Sequence, residues 1–356
     1  MPPAPEGADS TARARRIAAT LALAVLAALG AQAVGLPLPW MLGPLLATAA
    51  FGVAGRPVAA SQRLRNLGLA LLGVALGLYF TPPVVALIGR LAPAIAAGVV
   101  WALALGYVFY RVLLARHGGE RATCFYAAAI GGASEMALLA ERAGGRVDQV
   151  AAAHSLRVLL VVTIVPVALK LLGVHGLDAA STASATVRPL GLLMLAAGAA
   201  VAVWILCRLK APNPWVLGPL LATALPTALG AELSALPPGT SGFAQLVIGV
   251  ALGIRFTPEF AHAAPRWLAS VAAGTLAMLV VSAGFAALLA RATGLHPATA
   301  LLATTPGGIA EMAITAKVLQ LGVPVVTAFQ VVRYVAVLTL MPVLYRAECR
   351  RVGLRP

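Results

Sequence analysis

The sequence predicts an all-α polytopic membrane protein built from two tandem repeats, and three observations predict it. Charged side chains make up 10% of the 356 residues while 61% are apolar, with a mean hydropathy of +0.94; a soluble domain carries about 25% charged residues. Apolar stretches of roughly twenty residues, the length a helix needs to cross the hydrocarbon core, follow one another along the chain. A set of short motifs occurs twice in the same order.

In the first half the apolar segments run from Ile17 to Leu36, Pro39 to Ala54, Leu67 to Ile88, Leu91 to Leu114, Ala122 to Ala140 and Val150 to Leu172. The first resembles a secretory signal, with Arg13, Arg15 and Arg16 ahead of it and Ala31-Gln32-Ala33 at its end. It corresponds to Gly191–Cys207 in the second half, so it reads as a retained span. The second segment is short and contains Gly43-Pro44, where proline removes a backbone donor. The fifth is interrupted by Gly131-Gly132, and its counterpart by Pro306-Gly307-Gly308.

The repeat is explicit. Pro39-Trp40-Met41-Leu42-Gly43-Pro44 returns 175 residues later as Pro214-Trp215-Val216-Leu217-Gly218-Pro219. Gly73–Gly77 with Phe80-Thr81-Pro82 returns after 176 residues as Gly249–Gly253 with Phe256-Thr257-Pro258. Gly131-Gly132 with Glu135-Met136-Ala137 returns as Gly307-Gly308 with Glu311-Met312-Ala313, and Arg157 and Pro166 return as Arg333 and Pro342. The expected organisation is a cytoplasmic N-terminal tail (1–16), a first membrane repeat (17–173), a linker (174–189), a second membrane repeat (190–345) and a cytoplasmic C-terminal tail (346–356).

Charge orients the halves. If the fifth and sixth segments together make one net crossing, the fifth entering and returning or forming half of a broken span, then 17 basic residues fall on the cytoplasmic side. Four, Arg90, Lys170, Arg188 and Arg291, fall outside. Twelve full crossings give 16 against 8. The positive-inside rule favours the first arrangement: inverted repeats, about ten net crossings plus re-entrant or broken helices, and both termini in the cytoplasm of an inner membrane. The same rule accounts for the net charge of +15 without a nucleic-acid partner.

Interrupted segments at matching places in two halves point to the substrate site of a secondary transporter. In each half a Glu follows the second Gly by three residues and an Arg follows the Glu by 22: Glu135 with Arg157, Glu311 with Arg333. Intramembrane charges mark pathways and relays, which gives the carboxylates a coupling role and the arginines a counter-charge or a grip on an anion. The plainer alternative is carboxylates stabilised at a half-helix start and arginines snorkelling to an interface. Gly131, Gly132, Thr305, Pro306, Gly307 and Gly308 complete the candidate solute or coupling-ion site; the glycines alone would also permit close helix packing. Thr304 and Thr305, Ala128 and Ala129 in the first half, are candidates to cap the half-helix or meet the solute. His154 and Gln330, three residues before the arginines, read as polar glue between helices. Trp40 and Trp215 read as interfacial anchors, Asn213 as a helix cap, and Glu141 and Lys317 as solvated segment ends.

No enzyme constellation, resident metal or cofactor is expected. His117, His154, His175, His262 and His296 are isolated, Cys124, Cys207 and Cys349 are widely separated, and a Walker phosphate loop is absent from the sequence.

The blocks Pro39–Pro44, Gly131–Met136 and Pro306–Met312 resemble those of the AbrB-duplication membrane family. Its members are labelled AbrB family transcriptional regulators, regulators of aidB expression, or ammonia monooxygenases. The resemblance runs from the first span to about Tyr345; the small soluble AbrB transition-state regulators share only the name. It implies a place in the cation/proton antiporter and anion transporter superfamily, hence an inverted-repeat fold with discontinuous helices crossing near the midplane. It also implies coupling carboxylates at the matching positions Glu135 and Glu311. The monooxygenase label, which predicts bound copper, sits badly with isolated histidines. The regulator label fits an indirect effect of transport on gene expression, because no DNA-reading module is left over once the spans are assigned. The expected function is an inner-membrane secondary transporter of a small solute, with protons as coupling ion and an organic anion as the favoured substrate class. The alternative is a membrane sensor or regulatory protein that affects gene expression without translocating its ligand. The bilayer, the solute and a second copy of the chain are the expected partners.

Overall fold

The computed structural model describes residues 6–174, 176, 186–258 and 265–353. Among them lie fifteen α-helices and no strand. Six helices are long and apolar enough to cross a membrane. Most of the linker expected at 174–189, together with His175, His262 and the last three residues, lies outside the described residues.

The chain forms two compact units, and each takes a piece of both sequence halves. One comprises Met1–Leu78 with Thr182–Ala263, the other Tyr79–Ser181 with Ala264–Pro356. The first unit holds α1 (Glu6–Ala33), α2 (Pro39–Val53), α3 (Gln62–Gly77), α9 (Pro189–Arg208), α10 (Pro214–Ala228) and α11 (Thr240–Gly253). The second holds α4 (Pro82–Arg90), α5 (Ala92–His117), α6 (Arg121–Ala128), α7 (Ala133–Arg142), α8 (Val147–Leu171), α12 (Pro265–Thr293), α13 (Pro297–Thr304), α14 (Ile309–Val318) and α15 (Val323–Arg351).

In the first unit α2 runs unbroken through Pro44. Pro44 is the sixth residue of the helix, so a single i→i−4 bond, to the Trp40 carbonyl, is lost near its start, and Thr48 Oγ1 donates to the Pro44 carbonyl at 2.6 Å. The segment read from Leu67 to Ile88 divides: α3 ends at Gly77 and α4 begins at Pro82-Pro83, a pair that cannot continue a helix but suits its first positions. Asn213 does occupy the N-cap of α10, but at φ 49° and without a side-chain cap bond; Leu38 takes the same left-handed place before α2. Asn tolerates that conformation better than most residues, and this, rather than capping, is what the position asks of it.

Glycine sets the packing of this unit because with so little to gain from apolar burial in lipid, helices associate through close backbone approach. A Cβ on Gly43 would lie 2.5 Å from the Ala27 carbonyl oxygen of α1, and one on Gly218 would lie 2.9 Å from Val203 N of α9. Gly73 of α3 would put a Cβ 2.5 Å from Val216 O of α10, and Gly249 of α11 one 2.5 Å from Met41 O of α2. One helical turn on, Gly77 meets Leu220 O at 2.8 Å and Gly253 meets Leu45 O at 2.6 Å. Helix contacts therefore occur in pairs, each glycine facing a neighbour at the place its counterpart does.

The second unit is organised around four long helices, α5, α8, α12 and α15, of 25 to 29 residues. At 1.5 Å per residue each is about 38–44 Å long, enough to span the bilayer with some tilt. Phe109, Tyr110, Phe125, Tyr126, Met136, Met278 and Val337 belong to its core. α15 continues past Tyr345 to Arg351, and Glu348 near its end accepts from Tyr107 Oη and Tyr110 Oη, each at 3.3 Å, with Arg121 at 3.9 Å.

Gly73→Ala and Gly249→Ala are each expected to lower stability by about 1–3 kcal/mol, because neither helix can yield at a backbone contact. Gly30→Ala, where a Cβ meets nothing within 4 Å, is expected to be neutral or slightly stabilising. Thermal unfolding of the detergent-solubilised protein by tryptophan fluorescence distinguishes the two classes.

Candidate functional site

The fifth segment of each half is a helical hairpin in the second unit. α6 stops at Ala128 and α7 starts at Ala133; α13 stops at Thr304 and α14 starts at Ile309. The open ends are held alike. Arg146 N, at the start of α8, donates to Thr123 Oγ1 at 2.8 Å, and a Cβ on Gly322, at the start of α15, would sit 2.7 Å from Thr299 Cγ2. Thr123 and Thr299 begin α6 and α13, so in both hairpins the chain enters, turns at a tip and comes back beside its point of entry.

The tips expose backbone that no helix satisfies, and buried unpaired backbone groups are costly. The carbonyl side falls to arginine. Arg157 Nη1 donates to Ala129 O and Nη2 to Ala127 O, both at 2.6 Å. Arg333 Nη1 donates to Thr305 O at 2.6 Å, and its Nη2 to Gly307 O and Gln330 Oε1. Arg157 and Arg333 are 2% and 4% exposed, and in each the Nε has no hydrogen-bond partner. Each is the eleventh residue of its helix, so it sits about 15 Å from the helix start. His154 Nε2 and Gln330 Nε2, one turn earlier, reach Tyr126 O at 2.9 Å and Leu302 O at 2.8 Å. The polar-glue reading of that pair matches this geometry. The arginine side chains end inside the protein at the tips, which does not fit the snorkelling alternative.

The amide side falls to glutamate. Gly132 and Gly308 are the N-caps of α7 and α14, and Glu135 and Glu311 are the third helical residues. Each carboxylate curls back over its cap: a Cβ on Gly132 would collide with Glu135 Oε2, and one on Gly308 with Glu311 Oε2. Both caps have ordinary extended backbone angles, φ −72° and −86°, so glycine is required here for space and not for conformation. The preceding glycines make room in the same way for the next residue, Gly131 for Met136 and Gly307 for Met312. The motif Gly-Gly-x-x-Glu-Met is thus a packing unit: carboxylate over one glycine, thioether over the other. The carboxylate lies where a capping-box side chain lies and where the helix dipole favours negative charge.

Every sequence-predicted site residue sits at one of the two tips. Thr304 and Thr305 cap nothing: their hydroxyls donate to Ala300 O at 2.8 Å and Leu301 O at 2.7 Å, one turn back in α13. Tyr334 was missed. It is buried beside Arg333 on α15, its ring edge 3.1 Å from where a Gly132 Cβ would be. Its counterpart is Val158, and that departure from the repeat was the available signal. Glu311 is 8% exposed whereas Glu135 is half-buried. Among the described residues no group of three or more His, Cys, Asp or Glu could hold a metal ion.

Arg157→Lys and Arg333→Lys are each expected to cost about 1–3 kcal/mol, because an ammonium cannot reproduce the fork that serves two carbonyls at once. Chemical unfolding in detergent measures the loss, and unchanged stability in both variants would contradict the capping role.

Comparison with known proteins places the chain among relatives. A Bacillus subtilis (strain 168) protein named "Uncharacterized protein YhjN" is 26% identical over 341 residues, covering 88% of each chain. An Escherichia coli (strain K12) protein named "Putative regulator AbrB" is 26% identical over 326 residues, covering 91% of this chain and 94% of its own. No solved structure matches. The family described as "Transition state regulatory protein AbrB" matches residues 40–348, a stretch that contains both hairpins and both capping arginines, and the chain belongs to that AbrB family.

Proposed function

We propose that the protein is an inner-membrane secondary transporter of a small organic anion, coupled to protons. The observation that carries this reading is the pair of hairpin tips, each with a buried arginine on its carbonyl side and a glutamate on its amide side. Interrupted helices are tolerated at membrane depth where they face protein or a solute path, and two at matching positions are the mark of a carrier.

Charge balance supplies the substrate class and the coupling. A helix end carries about half an elementary charge, negative at the C-terminus and positive at the N-terminus. At one tip the carbonyl end and the arginine, with the amide end and an ionised glutamate, sum to about zero. Protonating the glutamate leaves the tip with about one positive charge, which favours arrival of an anion. Proton and anion thus load together, and release of one weakens the hold on the other.

The two halves are read as inverted repeats with both termini cytoplasmic and about ten net crossings. A hairpin that returns to its side contributes no net crossing, and the basic residues then divide 17 to 4. Thiols introduced beside Arg56 and Arg208 are expected to label from the same, cytoplasmic side; labelling from opposite sides contradicts inversion.

The printed name of the Escherichia coli relative favours a second reading, a ligand sensor that moves nothing. Proteoliposomes under an imposed pH gradient separate the two once a thermal-shift screen of small metabolites has found a binder. A carrier accumulates that solute, and Glu135→Gln and Glu311→Gln each reduce uptake at least ten-fold with the protein still folded. Binding with no uptake in the unaltered protein supports the sensor.

A further inference from the structure

The open end of the first hairpin, away from the tip, carries a cavity of about 370 Å³. Small-molecule sites span about 300–1,000 Å³. Its floor is buried and includes Thr123 of α6 and Trp267 of α12. Its rim is polar: Glu120 ahead of α6, Arg146 and Gln149 at the start of α8, and Arg266 at the start of α12. The protein builds this floor from its own bonds. Thr123 Oγ1 accepts from Arg146 N at 2.8 Å and donates to Glu120 Oε2 at 3.1 Å, and Trp267 Nε1 donates to Gln149 O at 3.2 Å. His117, at the end of α5, lies 2.9 Å from Ser270 Oγ and edge-on to the Trp267 ring. From this arrangement we infer that the open end of the first hairpin binds a phosphate group, of an anionic lipid headgroup or of a soluble phosphate ester, held by Arg146 and Arg266.

Charge and donor geometry select the ligand. Two arginines on different helices stand against one lining carboxylate, Glu120, which already accepts from Thr123 Oγ1. Asp148 takes one donor of Arg146 at 3.0 Å, and a guanidinium has five. Both α6 and α8 begin at the cavity, and neither is capped by the side chain of its N-cap residue, Glu120 or Arg146, so their first amides add partial positive charge. A phosphate presents three or more acceptor oxygens, enough for two guanidinium forks to share; a carboxylate presents two. The repeat confines the site to one hairpin. Glu120, Arg146 and Gln149 correspond to His296, Gly322 and Val325, and Trp267 to Leu91; on that rim only Arg266 has a like counterpart, Arg90. Where Arg146 borders a cavity, Gly322 lets α15 close on Thr299. A phosphate bound here ties the mouth of the hairpin to α12 and stabilises the folded protein by mass action. The inference goes beyond the carrier reading and is measured without flux.

Thermal unfolding of the full-length protein, in a neutral detergent and stripped of anionic lipid, tests it against inorganic phosphate, with ionic strength held constant by chloride. A saturable rise in unfolding temperature is expected for the unaltered protein and for Arg90→Gln. Arg146→Gln and Arg266→Gln are each expected to weaken the apparent affinity at least ten-fold, since each removes charge-assisted bonds. Both side chains are exposed, and size-exclusion behaviour matching the unaltered protein shows that the variants are folded. A second arm replaces phosphate by nanodiscs of phosphatidylcholine with or without phosphatidylglycerol. Stabilisation by the anionic discs that is lost in Arg146→Gln and Arg266→Gln supports a lipid phosphate as the ligand; stabilisation by inorganic phosphate that is lost in the same variants supports a soluble one. A rise that does not saturate, or that is equal in all four proteins, is the general effect of an excluded salt and overturns the inference. So does a loss shared by Arg90→Gln, or no response in either arm.

Discussion

A helix broken inside a membrane must find partners for its carbonyls and amides within the protein, and the second unit is arranged around that requirement. At each tip the carbonyl end is met by a guanidinium from the following long helix, and the amide end by a carboxylate three residues into the next half-helix. Charged groups are costly to bury. They persist here because each lies at a half-dipole of opposite sign, and the arginines gain hydrogen bonds to the carbonyls as well. Arginine suits the carbonyl side because its planar fork serves two acceptors at fixed spacing, and it needs no change of protonation to do so.

The first unit solves a different problem. Its helices satisfy their own backbone bonds and have little to gain from apolar burial in lipid, so contact distance governs them. Glycines at 43, 73, 77, 218, 249 and 253 face backbone atoms of neighbouring helices at separations that no side chain would allow. The large apolar side chains that remain, such as Leu26, Leu190, Leu193 and Leu225, are exposed, which suits contact with acyl chains. Close packing in one unit and polar satisfaction in the other are separate uses of glycine, and they explain why the repeated motifs of this sequence are rich in it.

Much of this was legible before the fold was known. Period and length marked α1, α5, α8, α9, α12 and α15, and doubling the motifs marked both breaks with their glycines, glutamates and arginines. What sequence reasoning could not supply was direction. Glu135 and Arg157 read as partners of opposite charge 22 residues apart, yet the arginine turns to Ala127 and Ala129, since a pair of carbonyls 28 and 30 residues away is invisible to spacing rules. Pro44 marks an odd segment but does not end α2, which gives up one backbone bond near its start and continues to Val53. Tyr334 was hidden for the opposite reason: an aromatic residue in an apolar run carries no pattern, and only its mismatch with Val158 sets it apart.

Where the two tips differ is more informative about function than where they agree. Shared features, the glycine caps, the glutamates and the arginines, are what any stable break of this kind requires, so by themselves they are compatible with scaffolding alone. The differences are not required by stability: a tyrosine ring beside Gly132 with valine at the equivalent place, a half-buried carboxylate against a buried one, and Ile130 in one tip where Pro306 stiffens the other. Proline fixes its own φ and removes an amide, so the second tip has fewer conformations to exchange among than the first. A half-buried carboxylate at the looser tip is within easier reach of water and protons than its buried counterpart at the stiffer one. Asymmetry of this kind suits a device in which the two hairpins have unequal duties.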